Sequence, residues 1–411
     1  MPAIRLAATW VVPMTAPPIR DGAVLVGEDG RVVAIGPHDV VPTPPGVPRA
    51  RFHDAVLLPG LVNAHTHLEL TGLAGAVTEA AFPDWIRRLR AVKAERTPAD
   101  FLAAATQGIR DCWAAGVTTV ADTGDSGAVI EALAALGARG IAYHEVFGPH
   151  PAQCDESLAG LAARVAELGR FTSAHVRLGV SPHAPYTVSR PLYRAVAGWA
   201  RGAGLPLAVH LAESPEESAL VGAGGGPFAA MWRRREIPVH EGQGASPVAW
   251  VADEGVLGAD VLCIHVVHAS DEDLRVLASH GVGIAHCPLS NRAHAHGTAP
   301  LAAMRRHGLR VGVGTDSVVS VGALDLLAEA RAARALGALD AVDALALATL
   351  DAARAIGLGA EVGTLAPGRW GDVAVFDLQG NADPVEAALG APPAARATFV
   401  AGRMVHQREV A

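Results

Sequence analysis

The sequence predicts an α/β protein in which a (β/α)8 barrel of the TIM type is joined to a small composite β-sandwich formed by both termini. In the middle of the chain, short apolar stretches alternate with long Ala- and Leu-rich segments, which is typical of parallel strands with helical crossovers. At both ends, short β-rich stretches follow one another without helices between them. We therefore expect the β-sandwich to comprise residues 1–58 and 366–411, and the barrel to comprise residues 59–365.

The N-terminal part begins with three short β-rich stretches. The stretch IRLAATWVV is followed by GAVLVG and RVVAIG, and the last two are joined across Glu28-Asp29-Gly30. A tight turn with glycine between two β-rich stretches predicts a hairpin. Near the other end of the chain, DVAVFD at 372–377 and TFVAGRMVHQ at 398–407 have the same character. We expect these strands to join the hairpin in one composite sheet domain.

Eight further strands are predicted between the two terminal parts. Their ends fall near His65, Asp122, Glu145, Ser181, His210, His265, His286 and Asp316. Eight parallel strands, each followed by a helix, close into a barrel whose active site lies at the carboxyl ends of the strands. Polar side chains at these strand ends are therefore the first candidates for function.

Composition and charge exclude several classes of protein. The 411 residues carry 33 Lys and Arg against 41 Asp and Glu, a net charge of −8 that would repel a phosphate backbone. The four cysteines form no C-x-x-C pair, which predicts free thiols in a reducing compartment. The chain shows no signal-peptide pattern and no apolar run of membrane-spanning length. We expect a soluble, cytoplasmic protein with a small-molecule substrate and neither a nucleic-acid nor a membrane partner; a homodimer is left open.

His65 and His67 directly follow the apolar stretch LLPGLVNA. In a strand, residues i and i+2 face the same way, so both imidazoles are expected to point into the mouth of the barrel. Two neighbouring imidazoles are a natural half-site for zinc or iron. His294 and His296 repeat the spacing in the polar segment RAHAHGT, but no strand precedes them, and we do not expect them to be ligands.

Four more side chains are predicted to reach the same rim. His210 ends PLAVHLAE with Glu213 three residues later, His265 ends VLCIH, and Asp316 ends VGVGTDS. Three histidines and one aspartate can hold one divalent ion and leave room for a water.

The chemistry of such a site assigns roles to the remaining groups. A base must take a proton from the attacking water, and an acid must protonate the leaving group. We expect Asp316 to accept the water proton and Glu213 to hand a proton to a ring nitrogen of the substrate. His265 would polarise the attacking hydroxide or stabilise the charge of the tetrahedral intermediate.

The motifs resemble those of a known family. PGLVNAHTHLEL, SPHAPYTVS, HLAE, IHVVHAS, HCPLSN and GVGTDS, in this order, resemble the amidohydrolase superfamily, in particular its mononuclear branch of purine and pyrimidine deaminases and chlorohydrolases. The resemblance spans nearly the whole chain. It implies one divalent metal, usually zinc and sometimes iron. The residues that it implies as metal ligands are His65, His67, His210 and Asp316. It further implies Glu213 as proton shuttle, His265 as catalytic histidine and His183 as a substrate contact.

The single lysine separates this chain from part of that superfamily. Members with two metals generally bridge them through a carboxylated lysine on the fourth barrel strand, but here that strand reads VRLGVSPH, and Lys93 lies elsewhere. A two-metal site of that type is not available. The presence of Glu213 favours deamination at an aromatic carbon, where a ring nitrogen must gain a proton.

The substrate is suggested by a narrower resemblance. HLELTGLAG, FPDWIRRLR, HAPYTVS and CPLSNRAHAHGTAP are similar to the aminodeoxyfutalosine deaminases, which convert 6-aminodeoxyfutalosine to futalosine and ammonia in menaquinone biosynthesis. The alternatives are a chlorohydrolase or another aminohydrolase, acting on S-adenosylhomocysteine or methylthioadenosine, guanine or a triazine. A non-catalytic scaffold of the same fold ranks below them.

The resemblance also suggests substrate contacts. Aminodeoxyfutalosine carries a benzoate, so an arginine is expected to pair with its carboxylate. Arg88 is our candidate among the arginines near these motifs, which are Arg87, Arg88, Arg90 and Arg292. Trp85 is expected to stack on the base or to pack in the core. Glu69 is expected to bond ribose hydroxyls or to cap a helix.

Overall fold

The structure, a computed structural model, describes residues 3–239, 244–378 and 383–409. Its strands are β1 (Ile4–Val11), β2 (Ile19–Val26), β3 (Val32–Pro37), β4 (Arg49–Pro59), β5 (Leu61–Thr66), β6 (Val117–Gly124), β7 (Arg139–Val146), β8 (Val176–Pro182), β9 (Leu207–Leu211), β10 (Val261–His265), β11 (Gly283–His286), β12 (Arg310–Val313), β13 (Val373–Asp377), β14 (Ala397–Val400) and β15 (Arg403–Gln407). Its helices are α1 (Phe82–Ala94), α2 (Pro98–Ala114), α3 (Ala128–Leu136), α4 (Cys154–Leu168), α5 (Arg190–Gly202), α6 (Pro215–Ala223), α7 (Gly226–Arg234), α8 (Pro247–Asp253), α9 (Asp271–Ser279), α10 (Pro288–Ala293), α11 (Leu301–Arg306), α12 (Val318–Val321), α13 (Leu326–Gly337), α14 (Ala341–Ala346), α15 (Leu350–Ala355) and α16 (Pro384–Leu389).

Strands β5 to β12 form an eight-stranded parallel sheet in which each strand pairs with its neighbours in chain order. The ring is completed between its first and last members by a parallel bridge from Thr66 to Asp316. Helices follow the strands, as right-handed crossovers of a parallel sheet require. The predicted barrel is confirmed, and Asp316 lies three residues beyond the end of β12 at Val313.

The sequence of the first barrel strand, β5, determines which of its side chains face the barrel interior. Val62 and Ala64 belong to an apolar cluster with Ala352 of α15, on the outer face of the sheet. Because side chains alternate along a strand, Asn63 and His65 lie on the opposite face, toward the barrel interior. Both are fully buried. The alternation of β5 therefore places a polar pair inside the barrel.

The terminal strands form one seven-stranded mixed sheet in the order β15-β14-β13-β4-β1-β2-β3. Strands β2 and β3 are the antiparallel hairpin expected from the sequence, and β1 pairs with β4 in parallel. The composite sheet of both termini is confirmed. The chain passes from this sheet to the barrel through Gly60, where a Cβ would lie 2.1 Å from Thr118 Oγ1. The division at residues 58 and 59 stays a prediction.

Two predictions about composition can be compared with the structure. Cys112, Cys154, Cys263 and Cys287 are all free thiols, as expected. Within the described ranges, no helix has both the length and the apolar character needed to cross a lipid bilayer.

A buried ion pair joins the barrel to the terminal sheet. Arg139 at the start of β7 donates from Nε to Asp372 Oδ2 at 2.7 Å and from Nη2 to Oδ1 at 3.2 Å, and both side chains are only 3% exposed. Asp372 also accepts from the backbone N–H of Ala401 at 2.7 Å. The Arg139 guanidinium lies 4.4 Å from the ring centroid of Trp370. The carboxylate is thus fully compensated only while Arg139 is present.

We predict that Arg139→Met lowers the free energy of unfolding by about 3–5 kcal/mol, because it leaves the Asp372 carboxylate buried without its cation. Urea unfolding followed by circular dichroism measures the change. Arg51→Met is the control, since the Arg51–Asp21 pair is exposed and should contribute less than about 1 kcal/mol. Equal losses in the two variants would contradict the prediction.

Candidate active site

Closure of the barrel brings His65 and His67, at the end of the first barrel strand, next to Asp316, which follows the last one. The backbone N–H of Asp316 donates to the carbonyl of His65 at 3.1 Å. As a result, Asp316 Oδ1 lies 3.6 Å from His65 Nε2 and 3.5 Å from His67 Nε2. Gly314 makes this approach possible, because a Cβ there would lie 2.6 Å from the backbone nitrogen of His65.

Two further histidines complete the cluster from β9 and β10. The ring centroid of His65 lies 5.0 Å from that of His210 and 5.8 Å from that of His265. Donor atoms of His65, His67 and Asp316 lie within 4.8 Å of one another, and the same holds for His65, His210 and His265. Five of the six side chains predicted to reach one rim are therefore brought together here, and the sixth, Glu213, is described below.

Hydrogen bonds at Nδ1 orient three of these histidines. His67 Nδ1 donates to the carbonyl of Thr123 at 2.8 Å, and His210 Nδ1 donates to the carbonyl of His183 at 3.3 Å. His265 Nδ1 lies 3.0 Å from Asn291 Oδ1. A proton on Nδ1 of His67 and of His210 leaves the lone pair of Nε2 free on these two rings, which is the arrangement of metal-binding histidines.

The electrostatics of the cluster also suit a divalent cation. Burial lowers the pKa of His65 to about 4 and lowers the pKa of His67 and of His210, so these rings are neutral and can act as ligands. Both ring nitrogens of His65 are buried and have no hydrogen-bond partner within the described chain. Burial raises the pKa of Asp316, but the adjacent imidazoles of His65 and His67 outweigh it, so the net pKa is well below its usual value. The residues present fit a divalent ion.

Ser290 and Ser317 hold the Asp316 carboxylate. Ser290 Oγ donates to Oδ2 at 2.5 Å, and the backbone N–H of Ser317 donates to Oδ1 at 2.7 Å. Ser290 belongs to α10, beside Asn291, which contacts His265. One short helix therefore orients two members of the cluster.

The backbone at these strand ends is strained. Ala212, His265, Val266 and Asp316 have φ values of 50°, 71°, 50° and 58°. Non-glycine residues rarely adopt such angles, and each costs about 1–3 kcal/mol. These four residues lie where the side chains converge, and the surrounding hydrogen bonds maintain their backbone conformation.

Glu213 lies beside this cluster in a turn held by Glu217. The backbone N–H groups of Ala212 and Glu213 donate to the two oxygens of Glu217 at 2.9 and 2.8 Å. Glu213 Oε2 accepts from Tyr186 Oη at 3.2 Å, and Oε1 lies 3.5 Å from His265 Nε2. Burial alone would raise the pKa of Glu213, but the neighbouring His265 and His296 lower it to about 2.

His183 lies on the side of the cluster next to β7 and β8. Its ring centroid is 4.8 Å from that of His210, its Nδ1 donates to Thr187 Oγ1 at 2.8 Å, and burial lowers its pKa to about 3. Its Nε2 lies 4.0 Å from Glu145 Oε1. The structure thus brings His183 to the cluster, and its contact with substrate stays a prediction.

The other predicted substrate contacts lie farther from the cluster or are already engaged. Glu69 is buried, and it accepts from Lys93 Nζ at 2.8 Å and from Ser126 N at 3.1 Å. Trp85 is 9% exposed and packs with its ring centroid 4.7 Å from that of His294.

Arg88 is exposed on α1 and has no ion-pair partner in the described part of the chain. The substrate contacts of all three stay predictions.

Sequence reasoning missed four residues that line the cluster. His296 belongs to a segment that its sequence marks only as polar, but it is 2% exposed, and its Nε2 lies 3.3 Å from Glu213 Oε1. The sequence marks Glu145 only as a strand end, and it marks Ser290 and Asn291 only as part of a motif. For Glu145, the signal was present in its position at the end of a barrel strand.

Comparison with known proteins places these observations in a family. The model of the amidohydrolase family matches residues 56–405. A 5-methylthioadenosine/S-adenosylhomocysteine deaminase of Symbiobacterium thermophilum is 32% identical over 391 residues, covering 90% of this chain and 84% of that protein. An aminodeoxyfutalosine deaminase of Deinococcus radiodurans is 34% identical over 340 residues, covering 77% of this chain and 76% of that protein.

Solved structures agree with this relationship. An adenosine deaminase from Xanthomonas campestris with bound zinc superposes with a TM-score of 0.84 at 26% identity, covering 98% of this chain and 92% of that one. The aminofutalosine deaminase of Helicobacter pylori has a TM-score of 0.85 at 24% identity over 98% of this chain and 100% of that one, which shows a shared fold. Because the family match covers most of the chain and both relatives exceed 30% identity, this chain belongs to the amidohydrolase family of metal-dependent enzymes.

Proposed function

We propose that this protein is a hydrolytic deaminase of an adenine-type nucleoside, with 6-aminodeoxyfutalosine as its substrate and futalosine and ammonia as its products. The observation that carries the proposal is the position of Glu213. Its buried carboxylate lies 3.5 Å from His265, beside a cluster of histidines and an aspartate that suits a divalent ion. A proton shuttle at this place serves a reaction in which a ring nitrogen must be protonated.

The metal ligands are proposed to be His65, His67, His210 and Asp316, holding one Zn²⁺, with Fe²⁺ as the alternative. When bound, such an ion supplies a Lewis acid that lowers the pKa of a coordinated water to about 7. A single ion agrees with the position of Lys93, whose Nζ is held by Glu69 at 2.8 Å and Asp125 at 2.6 Å. The only lysine of the chain is thus engaged with two carboxylates.

The side chains divide the proton transfers between them. Glu213 is ionised at rest, so it first takes up a proton, which the attacking water supplies, and then donates it to the ring nitrogen of the base. Asp316 accepts the second proton of the water and passes it to the departing amino group, which leaves as ammonia. His265, fixed by Asn291, stabilises the negative charge that develops on the attacked carbon's new oxygen.

The Deinococcus relative supports aminodeoxyfutalosine as the substrate, with Arg88 proposed to pair with its benzoate. Arg88 lies on α1, and the first residue of this helix, Phe82, has its ring centroid 4.4 Å from that of His296. The helix therefore borders the site. His183 and Trp85 are proposed to contact the base.

Methylthioadenosine or S-adenosylhomocysteine is the second candidate substrate. The Symbiobacterium relative, which is named for that activity, aligns with 90% of this chain. The two candidates share the adenine-type base and differ in the group at the 5′ position, so the same catalytic residues serve both.

We predict that His210→Ala loses both bound metal and activity, whereas Glu213→Gln keeps the metal and loses turnover by about 10²–10⁴-fold. The reason is that His210 would bind the ion and Glu213 would move only protons. Metal per chain is measured by plasma mass spectrometry, and turnover by ammonia release. Equal metal loss in both variants is inconsistent with the proposed roles.

We predict that the purified enzyme releases ammonia from adenine nucleosides, with the highest kcat/KM for aminodeoxyfutalosine among substrates that differ in the 5′ group. Chloro-triazines are assayed in parallel for chloride release. Higher kcat/KM for methylthioadenosine would select the second candidate. Chloride release without ammonia release would replace the deaminase by a halide-releasing hydrolase.

For the benzoate contact, we predict that Arg88→Met raises KM for aminodeoxyfutalosine by about tenfold or more, the loss of a charge-assisted pair. KM for methylthioadenosine, which has no carboxylate, should stay within about twofold and serves as the internal control. A parallel rise for both substrates would show that Arg88 does not recognise the carboxylate.

A further inference from the structure

The segment that follows α10 turns one side chain back into the site. The backbone N–H of His296 donates to the carbonyl of Asn291 at 2.9 Å, which closes the turn. Ala295 and Gly297, on either side of His296, have φ values of 54° and 110°. Left-handed backbone on both sides of one residue is uncommon, and it reverses the chain so that the imidazole of His296 points inward.

Packing holds His296 in this orientation. Its ring meets that of Phe82 edge to face, with centroids 4.4 Å apart and planes at 82°. The residue is 2% exposed, although its neighbour His294 is only partly buried. A buried imidazole needs a polar partner.

That partner is Glu213. His296 Nε2 lies 3.3 Å from Glu213 Oε1, a close polar contact that does not meet hydrogen-bond geometry. The other oxygen, Oε2, accepts from Tyr186 Oη at 3.2 Å. A carboxylate contacted from two sides has a defined rotation about its terminal bond, whereas a carboxylate contacted on one side can turn.

We infer that His296 is a positioning residue, which holds Glu213 Oε1 toward His265 and the reacting atoms through the close polar contact of its Nε2 with that oxygen. This inference rests on the proposed function of Glu213 as the proton shuttle. Because proton transfer needs the acid within hydrogen-bond reach of its target, loss of the contact lowers the rate of the chemical step. It leaves the cluster of His65, His67, His210 and Asp316 unchanged.

The test compares His296→Phe, which keeps the ring volume but removes the donor, with His296→Gln, whose amide can still donate to Glu213. His296→Phe is expected to lower kcat by about 100-fold while KM and the metal per chain stay close to those of the parent enzyme. His296→Gln is expected to recover most of the lost kcat. His280→Phe is the control for the loss of an imidazole and should keep the parent kcat, since His280 is exposed and its Nδ1 contacts Val276 and Ser279, away from the site.

Crystal structures of the same variants supply a readout that does not need turnover. In His296→Phe the Glu213 carboxylate should rotate away from His265, and in His296→Gln it should stay. If His296→Phe does not fold, His296→Asn replaces it, because its amide is too short to reach Glu213. Unchanged kcat, or an unmoved Glu213, in the variant without the donor would overturn the inference.

Failure of the proposed function and failure of the positioning role of His296 give different results. If the parent enzyme releases no ammonia from any adenine nucleoside, the proposed function is wrong. The crystal structures then decide the positioning role alone: a rotated Glu213 supports it and an unmoved Glu213 rejects it.

Discussion

Closure of the barrel is the constraint on which the site depends. Asn63 on the first barrel strand donates from Nδ2 to Thr315 Oγ1 at 2.8 Å, and its Oδ1 accepts from Thr315 N at 3.1 Å. This pair lies inside the barrel and fixes the segment after β12 against β5. The parallel bridge between Thr66 and Asp316 follows directly from it. Thr66 and Asp316, which are 250 positions apart in the chain, thus become neighbours. His65 and His67 meet Asp316 because all three lie at or just beyond the ends of adjacent barrel strands.

The cost of this arrangement is local and identifiable. Positive φ values at Ala212, His265, Val266 and Asp316 are unfavourable for residues with a Cβ. Each is offset by nearby hydrogen bonds. Glu217 binds the turn that contains Ala212, and Ser290 and Ser317 bind the carboxylate of Asp316. A rigid frame of this kind holds imidazoles and carboxylates in one place, which a bound ion and a directed proton transfer both require.

Much of the fold and of the central cluster was predictable because buried barrel strands have a recognisable sequence pattern. Apolar runs that end in His210, His265 or Asp316 mark both a buried strand and the rim at which it stops, and the barrel brings such rims together. His296 was not predictable in this way. Its direction depends on left-handed backbone at Ala295 and Gly297, and a spacing of two histidines in a polar segment carries no information about that turn. Glu69 illustrates the same limit, because its pairing with Lys93 arises from the packing of α1 and not from local sequence.

The central claim is that one divalent ion lies among His65, His67, His210 and Asp316. X-ray data collected on either side of the zinc absorption edge, from crystals of the enzyme loaded with zinc, test it directly. The account predicts one anomalous peak per chain, about 2.0–2.2 Å from the imidazole nitrogens and the carboxylate oxygen. A peak bound elsewhere, two peaks bridged within the barrel, or no peak at this position would contradict it.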